Sequence, residues 1–218
     1  MTARRGLVYG AVALAVLLIG AAIGMLITLS RIGPSAAPDA ESVDVGFCHD
    51  MQVHHLQAIT MAGIARDRDS DQFVRQIAFD IESAQLEQVG EMRGWLISWG
   101  QPGLPDPGAA HMGWMTTGGH GHTSGLPDAG APGLMPGMAS SAELARLRSL
   151  TGTEFDVFFL QLMLRHHQGG SAMAQDAAQH ASQEYVRTLA KTMITSQGSE
   201  VRYMTALLTE RGAAPLPG

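Results

Sequence analysis

Two adjacent histidine pairs carry most of the chemical potential in this sequence. His54 and His55 follow Met51 by three and four residues, and His166 and His167 follow Met163 at the same spacing. Residues three and four apart share a helix face, so each methionine and its pair can reach one ion. Imidazole suits copper, zinc, iron and nickel, whereas thioether sulfur is soft and favours Cu(I); a His/Met set therefore points to copper before zinc. Met61 and Met173, one or two turns further on, can extend the set. Asp44 and Asp156 can stand behind the histidines or cap helices, because ligating imidazoles commonly donate their other N–H to a carboxylate. The bland alternatives are a packed methionine for Met61, Met92, Met173 and Met204, and a neutral core imidazole with a satisfied hydrogen bond for the histidines. Two pairs in register, each beside a methionine on a stripe that otherwise calls for apolar residues, favour a metal or polar site.

A second group of soft and imidazole donors lies between the pairs: His111, Met112, Met115, His120, His122, Met135 and Met138. In flexible chain such a tract can capture copper and pass it on; the alternative is a low-complexity exported spacer. Cys48 and Asp50 have Leu160 and Leu162 as counterparts, so they fall outside a symmetric site, and Cys48 reads as a small buried hydrophobe.

The elements that must position these residues are repeated. An offset of 112 residues, which takes His54 to His166, aligns Asp44–Pro105 with Asp156–Pro217 without a gap and leaves 20 of 62 positions identical. That register indicates a tandem duplication. Positions 44, 47, 51, 54, 55, 58, 61 and 62 advance by threes and fours, the stripe of an amphipathic helix. Ser70 and Ser182 sit where a break and an N-cap would open a second helix in each copy; Gly100 and Gly212 sit where it would stop. Two such hairpins bury enough apolar surface together to form a four-helix bundle. Residues 100–139, crowded with Gly and Pro, should be irregular, and Ser140-Ser141-Ala142-Glu143 reads as a capping box opening a short helix through Leu150. The first hairpin accordingly spans 43–99, and the short helix and second hairpin span 140–218.

Ahead of the repeats, Gly6–Ser30 contains no charged residue and is long enough to cross a bilayer core. Arg4 and Arg5 precede it, whereas Arg31 is soon followed by Asp39, Glu41 and Asp44, which places the N-terminus in the cytoplasm and the bulk of the chain outside. A cleaved signal peptide is the rival, but Ser35-Ala36-Ala37 before Pro38 is a poor cleavage site. Residues 1–31 thus read as a single-pass cell-membrane anchor, with 6–30 in the membrane and 32–42 as a short linker. Beyond the anchor, 11 basic residues face 20 acidic ones, a balance that disfavours nucleic-acid binding. Cys48 is the single cysteine, so no intrachain disulfide can form.

The run Asp156-x-x-Phe159-x-x-x-Met163-x-x-His166-His167-Gln168-Gly169, followed by Met173-Ala174, resembles the signature of domain-of-unknown-function family 305, and the first copy, ending Met61-Ala62, resembles it too. The resemblance implies a ferritin-like four-helix bundle, often exported, with some members associated with copper binding and tolerance. The chain departs from the pattern at Leu56, where Gln is usual, and at Gly170-Ser171, where Ala-Ile is common; the second departure loosens a helix, and either opens space near a site or merely lowers stability.

Three functions follow as expectations. The first is copper sequestration or transfer on the outer face of the membrane. The second is a metal-free helical module that docks on another membrane-protein complex, with Trp95, Trp99 and Trp114 as candidate contact residues. The third is a di-metal ferritin-like oxidase, for which Glu87, Glu91 and Glu200 are available carboxylates; the Glu-x-x-His that such sites use occurs nowhere in the chain. The sequence leans away from an enzyme.

Overall fold

The computed structural model describes residues 2–32, 36–68, 71–115 and 134–216; Ser70, His120 and His122 lie outside them. Among the described residues there are six helices and no strand: α1 Thr2–Ile32, α2 Val43–Arg66, α3 Gln72–Ser98, α4 Ser141–Ser149, α5 Gly152–His180 and α6 Glu184–Glu210. The chain divides into two units, Met1–Ala36 and Ala37–Gly218. The first is α1, whose stretch Arg5–Thr28, 24 residues, is long and apolar enough to cross a membrane.

In the second unit α2 packs on α3, α5 on α6, and α2 on α5, with α4 against α5. The starts of α2, α3 and α4 have local causes. Ser42 caps α2 by accepting from Val45 N, and the α4 capping box forms as its sequence predicts, Ser140 and Glu143 satisfying each other's backbone. Arg165 of α5 grips both oxygens of Glu143 at 2.8 and 2.9 Å and so holds α4 in place. The α3 start is capped by Asp71, which accepts from Phe73 N. Ser182 lies in the break before α6, whose N-cap position is Gln183 and has no side-chain cap.

The missing cap comes from the other hairpin. Asp44, 1% exposed on α2, accepts from Ser182 N and Gln183 N at 2.8 and 2.9 Å. Asp156 on α5 accepts from Asp71 N, 3.2 Å from Oδ2; burial pushes its carboxyl above the ordinary value even against that hydrogen bond and nearby Arg211. Each first helix therefore satisfies orphan N–H groups at the start of the opposite second helix, which ties the hairpins together at both ends. Loss of such a cap costs about 0.5–2 kcal/mol. Asp44→Ala is expected to lower the melting temperature by several degrees, at about 2–4 °C per kcal/mol for a chain of this size; an unchanged thermal transition would show that these bonds hold nothing together.

The interior is layered. One apolar cluster joins Ala58–Ala65 of α2 to Phe155–Leu164 of α5, with Ile81 and Met204. The other joins Val45–Met51 of α2 to Met173–Ala177 of α5, with Met92, Met193, Met135 and Met138. Helices α2 and α5 therefore run antiparallel, and along both of them the histidine pairs fall between the clusters.

Candidate metal centre

The layer between the two clusters is polar and closed. His54, His55, His166 and His167 are each 2% exposed or less. The His54 and His166 rings stack with centroids 3.7 Å apart and planes 35° apart, and His167 lies 6.3 Å from His166. The stack has room because Gly170 carries no side chain: a Cβ there would come to 2.9 Å from His54 Cε1. The departure from the family pattern at Gly170 thus opens space at the site.

Each imidazole is oriented by an acceptor. His54 Nε2 donates to Pro136 O at 3.2 Å and His166 Nε2 to His54 O at 3.0 Å. His55 Nε2 donates to Gln88 Oε1 at 2.7 Å, and His167 Nε2 to Glu200 Oε2 at 2.6 Å. These partners place the hydrogen on Nε2, so in the neutral ring Nδ1 carries a bare lone pair. Among the described residues, the Nδ1 atoms of His55 and His167 are buried with no hydrogen-bond partner. Burial lowers His54 to about 4 and His55 to about 3, with the neighbouring imidazoles adding to the effect, and holds His166 well below its ordinary value for the same two reasons. Neutral imidazole is the form that binds metal.

The methionines sort differently from the order along the chain. Met51 and Met173 share one cluster, and Met61 and Met163 share the other, so a methionine from each hairpin flanks the histidine layer on either side. The described linker residues join the first of these. Met135 and Met138 are buried in it, and Met112 and Met115 pack against it half-buried.

The linker is held down at three points. Asp50, 4% exposed, accepts from His111 Nδ1 at 2.7 Å, Met112 N at 2.6 Å and Trp114 Nε1 at 2.7 Å. Gln57 exchanges two hydrogen bonds with the Ala139 backbone, at 2.9 and 2.6 Å. Residues 134–139 then form a strap across α5 at Gly169, where the Pro136 carbonyl lies directly on the glycine, and His54 ties to that same carbonyl.

Sequence reasoning missed Gln88 and Gln57, set Asp50 aside for want of a counterpart in the second copy, and gave Glu200 no particular histidine. A signal for the first existed: the 112-residue offset takes Gln88 to Glu200, both polar and each 33 residues after its histidine. Asp50, a charge inside an apolar stripe, was visible too, but its partners lie about sixty residues away. Trp95 and Trp99 lie half-buried against Tyr185, and Trp114 against Phe47.

Among the described residues no three His, Cys, Asp or Glu side chains converge as a ready ligand group. The bare nitrogens of His55 and His167, in a layer bounded on both sides by methionine-bearing clusters, are donors that suit soft Cu(I) better than the harder divalent ions.

Two antiparallel helical hairpins joined through α2 and α5, with a buried imidazole layer at the crossing, define the class of protein. The chain belongs to the DUF305 family, described as a domain of unknown function, whose model matches residues 44–208. It is similar to a DUF305 protein of Streptomyces coelicolor provisionally described as secreted, at 40% identity and TM-score 0.71 over 83% of this chain and 100% of that one. A DUF305 fragment from Deinococcus radiodurans is 32% identical, TM-score 0.62, over 81% and 99%. CopM in its Cu(II)-bound form shares the fold at 24% identity and TM-score 0.59, over 77% and 96%. No curated protein matches the sequence.

Proposed function

We propose that this is a membrane-anchored, extracytoplasmic copper-binding protein that sequesters or hands on Cu(I) through the buried histidine layer and its flanking methionines. The observation that carries the reading is the pair of buried, unpartnered Nδ1 atoms on His55 and His167, each on a ring whose Nε2 is already committed. An apolar core tolerates an unpaired polar atom only at a cost, and a ligated ion removes that cost. His54, His166, Met51 and Met173 complete the donors within the layer and on one side of it; Met61 and Met163 lie on the other side. CopM has been crystallised with Cu(I), Cu(II) and silver; those ions belong to that protein, and here they select which to test first. The apolar helix α1 serves as anchor in this reading, with Arg4 and Arg5 on the cytoplasmic side.

The test is a Cu(I) titration of the full-length chain in detergent against a chromogenic chelator. The double variant His55→Gln, His167→Gln should bind about a hundredfold more weakly, the upper end of what even a lost supporting residue costs a metal site. Affinity equal to wild type would sink the reading.

A second reading, a metal-free bundle docking on a membrane-protein complex, draws on Phe79, Leu86 and Ile97, which stand 50–63% exposed along one face of α3. Wild-type protein that binds neither Cu(I) nor Ag(I) would leave this as the better account.

A further inference from the structure

The two histidine pairs differ in what stands behind them. The offset that takes His55 to His167 takes Gln88 to Glu200, and each acceptor holds the Nε2–H of its own histidine, at 2.7 and 2.6 Å. Both Nδ1 atoms are buried and unpartnered. The geometry matches; the charge does not. A cation taken up at His167 Nδ1 enters the core with a carboxylate directly behind the ring, whereas at His55 it finds a neutral carboxamide. Moving a cation from water into a protein interior is costly unless an opposite charge accompanies it. A carboxylate behind an imidazole also raises its basicity as a ligand and fixes its orientation. Asp50, the carboxylate on the His54 side, is already committed to His111, Met112 and Trp114.

We infer that the halves are unequal half-sites: Cu(I) loads first and more tightly at His167, with Glu200 as its positioning residue, and second and more weakly at His55 over Gln88. This rests on the copper-binding reading above and adds an order of loading to it. In such a protein the weaker half is the one from which the ion leaves, which is what transfer to an acceptor requires.

Glu200 is 22% exposed at its side chain, and Glu200→Gln keeps both shape and acceptor, so the charge alone is removed. With the full-length chain in detergent, Cu(I) competition and Ag(I) as a redox-inert probe read the two binding steps, and 15N-detected histidine ring signals read their order. Glu200→Gln should weaken the first step about 10–100-fold and Gln88→Glu should tighten the second. The double variant Gln88→Glu, Glu200→Gln should restore a tight first step and move the first ring response from His167 to His55, a transfer that a merely structural role does not produce. Thermal unfolding of the metal-free variants monitors folding; should Glu200→Gln fail to fold, Gln88→Glu decides alone, and an unchanged second step overturns the inference. It is equally overturned if Glu200→Gln binds as wild type, or if His55 and His167 respond together in the wild type, and in those cases the copper reading still stands. Wild type that binds neither ion ends both.

Discussion

Acidification from pH 6.5 toward pH 4 is expected to destabilise the metal-free bundle by several kcal/mol, and to act through the imidazole layer. The unfolded chain takes up protons on these histidines near the ordinary value of 6.5, whereas burial holds His54 at about 4 and His55 at about 3 in the fold and keeps His166 well below 6.5. Between those limits the unfolded state binds more protons than the native state. Stability therefore rises with pH through the window and falls as pH is lowered; well above pH 7 these three groups are neutral in both states and contribute no slope. Each unit of depression corresponds to about 1.4 kcal/mol. The contributions do not add fully, since the rings also act on one another. Even a part of that is large beside a typical total stability of about 5–15 kcal/mol. Glu143 titrates lower, its carboxyl depressed below 4.5 because Arg165 and Ser140 outweigh the upward effect of burial; Asp156, raised by burial, acts in the opposite sense and is common to both proteins, so the comparison with the histidine variant isolates the imidazoles. Urea midpoints at pH 7.0, 6.0 and 5.0 should drop steeply for wild type and much less for the variant His54→Gln, His55→Gln. Parallel profiles for the two proteins would rule out this account.

Gly169→Ala is expected to lift the strap and lose about 3–6 kcal/mol, the burial of two methionine side chains at about 1.5–3 kcal/mol each. An added Cβ would meet the backbone of Pro136 and stand 2.6 Å from Gly137 Cα. Backbone cannot swing aside as a side-chain tip can, and Gly137 is itself held at φ +79°. Displacing residues 134–139 gives up the Gln57–Ala139 pair and the His54–Pro136 bond as well. Gly63 is the control: it too lies within a helix, but nothing stands within 4 Å of its would-be Cβ, so Gly63→Ala should be neutral or stabilising by about 0.5–1 kcal/mol. Thermal unfolding and proteolytic cleavage within 134–139 read the difference. A Gly169→Ala protein that behaves like Gly63→Ala would show that the strap is not seated as described.

Much of the architecture follows from local pattern. The three-and-four stripe specifies α2 and α5, the capping box specifies α4, and the apolar run from Gly6 specifies α1, because helix periodicity, capping and bilayer length each depend on residues within a few turns. The histidine pairs stand out for the same reason: imidazoles on an otherwise apolar stripe are conspicuous without any knowledge of what faces them. The second helices were less well marked. Asp71, adjacent to the expected Ser70, does the capping at α3, and Gln183 opens α6 without a side-chain cap of its own, because its partner is Asp44, some 140 residues earlier.

What the sequence determined by itself is the set of helices, the doubled His-His motif and the apolar N-terminal helix. What only the tertiary structure decided is who meets whom. Local spacing groups Met51 with His54 and His55, yet α2 and α5 cross antiparallel at the histidines, so Met51 clusters with Met173 and Met61 with Met163. The same crossing turns Asp44 and Asp156 into caps for the opposite hairpin and brings the strap of the Gly/Pro-rich linker over His54. Periodicity states which face of a helix is buried, but the partner of that face is set by packing between segments more than a hundred residues apart, about which a stripe of one helix carries no information.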